Sequence, residues 1–157
     1  MRPEPHAGGS ARPARGGARR VLVIDDEQSI RMLCRVNLAA SGMEVLEAAN
    51  GDEGLELARS ERPDLVLLDV MMPGRDGWTV ARALADDPET REIPIIFLTA
   101  RADAADRRLG QRLGGVGYVV KPFDPVYIGE LVEDVLARVE RGEREQLTSA
   151  ISAEDER

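Results

Sequence analysis

The chemistry in this chain of 157 residues concentrates at the ends of apolar runs. Val21-Leu22-Val23-Ile24 is followed at once by Asp25, Asp26 and Glu27, and Leu65-Val66-Leu67-Leu68 ends in Asp69, ahead of Val-Met-Met-Pro-Gly. Two further runs close on polar groups of other kinds, Thr99 after Pro94-Ile95-Ile96-Phe97-Leu98 and Lys121 after Val116 to Val120. A single acid in such a place is more commonly a helix N-cap or a solvated loop residue, and Asp25 fits that use. Three acids brought together are a different matter, because each raises the others' pKa unless a cation lies among them. Oxygen donors from carboxylates, a carbonyl and water suit Mg²⁺, which gives up its own waters reluctantly. An Mg²⁺ site on Asp25, Asp26 and Asp69 is the economical reading.

Lys121 stands out by composition. Of the 21 basic residues it is the one lysine, the other 20 being arginine. A lysine is a compact point charge on a flexible stem, able to reach one phosphoryl oxygen without the room a planar guanidinium needs. The plainer use is an ammonium that balances neighbouring acids, and the residues alone leave both open.

For these groups to meet, the runs that carry them must lie side by side. Short unbroken apolar runs suit strands buried on both faces of a parallel sheet. Such a sheet brings its strand ends to one edge, where open α/β folds do chemistry. From Val21 a strand-then-helix pattern repeats five times. A first helix is expected over about 29–40, with apolar Ile30, Leu33 and Cys34 and a stop at Gly42. A short strand follows over 43–47, and Asn50-Gly51 then opens a second helix to about Ser60, with Leu55 and Ala58 facing in and Pro63 closing the connection. Beyond Pro73-Gly74 and Asp76-Gly77 a third helix runs over about 78–85; a fourth, over about 102–113, is thinly patterned and contains Gly110. Asp124 as N-cap and Pro125 at the first helical position open a fifth, whose apolar stripe is Ile128, Leu131, Val132, Val135 and Val139. Strands alternating with helices through short loops predict an α/β fold, a parallel sheet covered on both faces with right-handed crossovers.

The length suits one ordinary domain with tails. Residues 1–19, rich in arginine, proline and glycine, have little to bury and read as a disordered basic tail. The sole histidine, His6, falls there, so no histidine-based catalysis or zinc site is expected in the folded part. Residues 20–139 make the folded unit, and the charged, unpatterned 140–157 a helix extension fraying into a tail. A net charge of -8 and a pI near 4.8 argue against a dedicated nucleic-acid binder. Cys34, alone, excludes an internal disulfide and reads as a small buried hydrophobe in a chain suited to the reducing cytosol. No stretch reaches the roughly 18 apolar residues of a membrane span, and the N-terminal arginines precede no apolar signal core.

Asp25-Asp26, Asp69, Thr99-Ala100 and Lys121-Pro122-Phe123, with Met72-Pro73-Gly74 and Asp76-Gly77 after the central acid, together resemble the receiver domain of bacterial two-component response regulators. The resemblance spans roughly residues 19–138. It implies a flavodoxin-like, doubly wound sheet of five parallel strands in the order 2-1-3-4-5 with five helices, as in single-domain chemotaxis regulators. It further implies that Asp69 is the phosphoacceptor, served by a histidine kinase or a histidine phosphotransfer protein. The implied Mg²⁺ ligands are Asp26, Asp69 and the Met71 backbone carbonyl, with Asp25 acting through a water. Thr99 and Lys121 are implied to bond the phosphoryl oxygens, and Tyr118 to turn inward as Thr99 moves. On general grounds Tyr118 is a half-buried packing aromatic with a wet hydroxyl, and only its spacing from Lys121 sets it apart. Met71 and Arg101 match the positions that tune loss of the phosphoryl group, and a thioether orients an attacking water poorly. A cytoplasmic signalling protein is thus implied rather than a metabolic enzyme, its output an unnamed protein bound through the fourth helix, fifth strand and fifth helix.

Gly117 departs from the family, standing where many members carry an acid that supports the dimer of the DNA-binding subgroup. That dimer is not implied here, and a homodimer would have to form in another way. Gly110, Gly114, Gly115 and Gly117 leave the fourth helix and fifth strand loosely specified, since glycine costs up to about 1 kcal/mol in such elements. A mobile output face, or a merely marginal one, is expected. Met72 and Trp78 are assigned to packing or surface. No segment beyond Arg138 is long enough for an output domain, so a stand-alone switch is expected, without direct DNA or membrane contact. One competing reading is a receiver-shaped module that is never phosphorylated, which the intact acids, threonine and lysine oppose. Another is a phosphohydrolase with Asp69 as nucleophile; its second acid would stand at position 71, which is methionine.

Overall fold

A computed structural model describes residues 17–101 and 103–153. Most of the basic segment expected over 1–19, with His6, lies outside the described residues. The chain runs β1 (Arg20–Ile24), α1 (Gln28–Ala40), β2 (Glu44–Ala48), α2 (Gly51–Glu61), β3 (Leu65–Asp69), α3 (Gly77–Asp86), β4 (Ile95–Thr99), α4 (Ala104–Arg112), β5 (Gly117–Val120), α5 (Pro125–Glu140) and α6 (Arg144–Ala153). All five strands are parallel, as the apolar runs predict, in the order β2-β1-β3-β4-β5 that the resemblance implies.

Strand side chains alternate between faces, so each apolar run feeds two cores at once. Val21, Val23, Leu65, Leu67, Ile96 and Leu98 meet Cys34 and Leu38 of α1 and Ile128, Val132 and Val135 of α5. Leu22, Ile24, Val66, Leu68, Ile95 and Phe97 meet Ala58 of α2 and Val80, Ala81 and Leu84 of α3. Burial on both sides is why the runs Val21–Ile24, Leu65–Leu68 and Ile95–Leu98 carry no polar residue. Leu33, by contrast, points outward from α1 with Met32 and Val36; the thirteen-residue helix buries only a narrow stripe led by Cys34 and Leu38.

Side-chain caps punctuate the helices. Asn50, Asp76, Asp103 and Asp124 each accept a backbone N–H from the first turn that follows, at 2.8–3.0 Å, satisfying donors the helix cannot. Glu27 at the start of α1 makes no such bond.

Five helices are expected from sequence and six form among the described residues. After α5 the backbone turns at Gly142, whose φ of +83° favours glycine, and the chain re-enters a helix instead of fraying. Leu147 and Ile151, four residues apart, give α6 an apolar side and are both buried. A stripe of two residues amid charged neighbours is too thin to read as a helix in advance.

The glycines around β5 are not slack either. A Cβ on Gly115 would stand 2.6 Å from Phe97 Cε2, and one on Gly110 3.3 Å from Phe97 Cδ2. Phe97 in turn lies against Trp78, ring centroids 4.9 Å apart. Glycine lets α4 and the start of β5 close on a large buried ring, so these positions are set by packing.

Candidate functional site

Register assembles the site. Ile24 pairs with Leu68, so the next residues, Asp25 and Asp69, leave the sheet side by side. Asp69 pairs with Leu98, one before Thr99, and Thr99 with Val120, one before Lys121. Four strand ends thus deliver two acids, a hydroxyl and an ammonium to the carboxyl edge of the sheet. Asp25, Asp69 and Thr99 are buried there, while Asp26 faces solvent. Asp26 and Asp69 border an open depression of about 520 Å³, lined also by Glu27, Ile30, Met71, Ala100, Lys121 and Pro122.

Gly77 holds Asp69 in place from behind. Its N–H donates to the Val70 carbonyl at 2.9 Å, and a Cβ on it would lie 2.4 Å from the Asp69 carbonyl oxygen. Only glycine lets α3 begin so close to the strand end. The Met71 N–H donates to Asp69 Oδ1 at 3.2 Å, and the Met71 side chain is about half exposed at the rim.

Lys121 Nζ lies 3.0 Å from Asp25 Oδ2, 3.3 Å from Glu27 Oε1 and 3.4 Å from Asp69 Oδ1. Burial works against the ammonium, but the Asp25 carboxylate, then Asp69 and Glu27, hold its pKa above the usual lysine value. Asp69 moves the other way from an ordinary carboxyl. Burial first, then the Asp25 charge, raise it from 3.8 to about 7, against the pull of Lys121. Asp25 Oδ2 is buried, and the Lys121 ammonium 3.0 Å away is its ion-pair partner.

Thr99 and Tyr118 converge on one peptide. The Arg101 N–H donates to Thr99 Oγ1 at 3.1 Å, and the Tyr118 hydroxyl donates to the Arg101 carbonyl at 2.9 Å. The Tyr118 ring is half-buried under the Arg107 guanidinium, 4.6 Å from its centroid. Burial and the Asp106 charge push its hydroxyl up to about 12, so it stays a donor at neutral pH. The Arg101 guanidinium turns to Asp106 and Asp103, 3.1 and 3.6 Å away, and Ala100 lines the depression in its stead.

Two participants went unassigned in the sequence. Glu27 was visible only as the third acid of its run; its carboxylate serves Lys121 instead of capping α1. Arg31 donates from Nη1 to the Asp25 carbonyl at 2.8 Å and from Nε to Glu47 at 3.2 Å, fixing the backbone of the acid pair. Nothing in its spacing distinguishes it from the other arginines.

Residues 21–133 match the family model described as the response regulator receiver domain. The chain belongs to that family. Among curated relatives, the probable transcriptional regulator ycf27 of Porphyridium aerugineum is 43% identical over 122 residues, covering 78% of this chain and 50% of that protein. The alkaline phosphatase synthesis transcriptional regulatory protein PhoP of Bacillus subtilis (strain 168) is 41% identical over the same shares of both chains. The chain spans about half the length of the curated relatives it matches. Among solved structures, the chemotaxis protein CheY4 of Vibrio cholerae superposes with a TM-score of 0.72 at 32% identity, covering 76% of this chain and 99% of that one. A CheY-like receiver from Methanospirillum hungatei JF-1 gives 0.74 at 25% identity, covering 80% and 99%.

Receiver domains hold Mg²⁺ in an acidic pocket, and the residues here fit it. One carboxylate oxygen from each of Asp25, Asp26 and Asp69 lies within 4.8 Å of the others. All are hard oxygen donors of the kind Mg²⁺ prefers, and the one Lys121 ammonium shared by Asp25, Glu27 and Asp69 leaves negative charge at the site for a cation to offset.

Proposed function

We propose that this protein is a phosphoacceptor switch of two-component signalling and that Asp69 carries the phosphoryl group. An Asp69 oxygen attacks the phosphorus of a phosphohistidine on a histidine kinase or phosphotransfer protein. A P–O bond forms as the P–N bond breaks, and the departing imidazole nitrogen keeps the electron pair. Such a step asks the protein for positioning and neutral charge more than for covalent help.

The observation that supports this most is the buried Asp69 carboxyl at the edge of an open depression with Lys121 Nζ 3.4 Å away. The ammonium, kept charged by the acids around it, offsets the dianion that arrives and pairs with one of its oxygens. Asp26, Asp69 and the Met71 carbonyl would hold Mg²⁺, with Asp25 acting through a water. When bound, the ion supplies the remaining positive charge that lets a carboxylate and a phosphoryl group approach. Thr99, released from the Arg101 N–H, turns its hydroxyl to another phosphoryl oxygen, and Tyr118, which shares that peptide, follows inward. Output passes to a protein partner on the face of α4, β5 and α5. Regulation of transcription belongs to the relatives that bear that name and is not carried over. A cytoplasmic site of action accompanies this function; among the described residues no helix is long and apolar enough to cross a membrane.

Acetyl phosphate with Mg²⁺, followed by intact-mass measurement, tests the assignment. The wild type gains one phosphoryl group, Asp69→Ala gains none, and EDTA abolishes the gain. A wild type that stays unmodified, or an Asp69→Ala variant that is modified equally, overturns it.

A further inference from the structure

The family match ends at residue 133, before α6, yet α6 is seated on the body of the domain. It lies along α4 and across the start of β5, at the opposite end of that strand from Lys121. Leu147 joins Val116, Val119 and Leu136 in the core on the α5 side of the sheet, and Ile151 is 4% exposed. Between them Thr148 Oγ1 donates to the Gly115 carbonyl at 2.8 Å. Gln111, at the end of α4, donates its side-chain amide to the Thr148 and Ser149 carbonyls at 3.3 and 3.4 Å. Arg144 anchors the start of α6 on the Glu92 carbonyl at 2.7 Å. The opposite side of the helix, with Glu145, Gln146, Ser149 and Ala150, is exposed.

We propose that α6 is a tethered occupant of a helix-binding surface on α4 and β5, and that phosphorylation of Asp69 loosens it so that a partner protein's helix takes its place. This rests on the phosphoacceptor role proposed above. The surface states what it accepts: an amphipathic helix with aliphatic side chains four residues apart and a hydroxyl directly after the first, the pattern Leu147, Thr148, Ile151 that fills it now. The coupling runs through α4. The peptide of Arg101 ahead of that helix is held by Thr99 on its N–H and by Tyr118 on its carbonyl. At the far end, Gln111 and the Gly115 carbonyl grip α6. Nine helical residues span roughly 13 Å at 1.5 Å each, and a packed helix shifts as a unit. Release of the Arg101 peptide at the switch end therefore displaces the groups that hold α6. The turn at Arg141-Gly142 keeps the freed helix tethered and in competition with any partner.

A labelled peptide of residues 143–153, added in trans to the full chain and followed by fluorescence anisotropy, tests this. Acetyl phosphate with Mg²⁺ is expected to tighten peptide binding on the order of tenfold, with no effect in Asp69→Ala. A full-chain Leu147→Asp, Ile151→Asp variant, whose own α6 cannot seat, is expected to bind the peptide without phosphorylation. Hydrogen exchange of the β1 and β3 amides reports whether that variant is folded. Thr148→Val, which loses only the bond to Gly115, serves as the milder second variant and is expected to bind several-fold tighter than wild type before phosphorylation. Intact mass is read on every sample. Full modification with unchanged peptide binding overturns the α6 proposal alone; absent modification overturns both proposals. A folded double variant that ignores the peptide refutes the helix-binding surface. A phosphorylated chain that dimerises by exchanging α6 makes the occupant a second copy and overturns the partner helix.

Discussion

At the residue scale the site turns on how a single ammonium is shared. Lys121 answers to Asp25, Glu27 and Asp69 within 3.4 Å, an arrangement suited to a flexible point charge and hostile to a planar fork. Lys121→Arg is therefore expected to keep the charge and still slow phosphorylation by acetyl phosphate by roughly 10²-fold, measured as the initial rate of mass gain. Rates within a factor of two of wild type would show that charge alone suffices. Met71 acts at the other end of the cycle. Its half-exposed thioether stands at the rim of the depression, where it offers an attacking water no hydrogen bond. Met71→Asn is expected to shorten the half-life of phospho-Asp69, and a variant that held its phosphoryl group longer than wild type would refute this. Lys121 was legible in the sequence because it is the one lysine among arginines. Glu27 and Arg31 were not, since their roles depend on where α1 leans rather than on any spacing.

Elements were legible where periodicity is strong and opaque where packing overrides it. The runs ahead of Asp25, Asp69 and Thr99 announced buried strands, and Asp124-Pro125 announced the start of α5. The weak pattern around Gly110, Gly115 and Gly117 implied looseness, because glycine's lack of a side chain reads as missing information when its neighbour is unknown. That neighbour is the Phe97 ring for Gly110 and Gly115 and the Ile96 side chain for Gly117, and the close fit predicts the opposite of looseness. Gly115→Ala must displace a ring wedged against Trp78 and is expected to cost about 2 kcal/mol in urea denaturation, within the range for overpacked cores. A stabilised variant would mean that the reduced freedom of the unfolded chain outweighs the contact. The sixth helix escaped notice for a related reason: two apolar residues carry too little periodicity, and only the surface they meet makes them a stripe.

At the scale of the whole molecule, apolar runs and short loops announced a parallel sheet with its acids at one edge, and the resemblance to receiver domains supplied the strand order. What that gathering does to stability could not be read beforehand, because it depends on burial. Asp69 has a pKa of about 7 in the fold against 3.8 for a free side chain, so between those values the folded chain keeps a proton the unfolded chain has lost. Stability from this group is therefore greatest at the acid end of the window, declines as pH rises from about 4 to about 7, and is level above it. Three units at 1.36 kcal/mol each set a ceiling of about 4 kcal/mol, which water in the open depression reduces to about 2 kcal/mol. Asp69→Asn is accordingly expected to gain about 2 kcal/mol over wild type at pH 8 in EDTA and little at pH 4. Mg²⁺ favours the same carboxylates once they are ionised, so at a hundredfold excess over its Kd it should add about 2.7 kcal/mol to wild type and much less to Asp26→Asn. Urea denaturation of the three proteins at both pH values, with Mg²⁺ or EDTA, decides it. An Asp69→Asn variant no more stable than wild type at pH 8 without metal would mean that Lys121 already neutralises the acids, leaving no electrostatic strain for a cation to relieve.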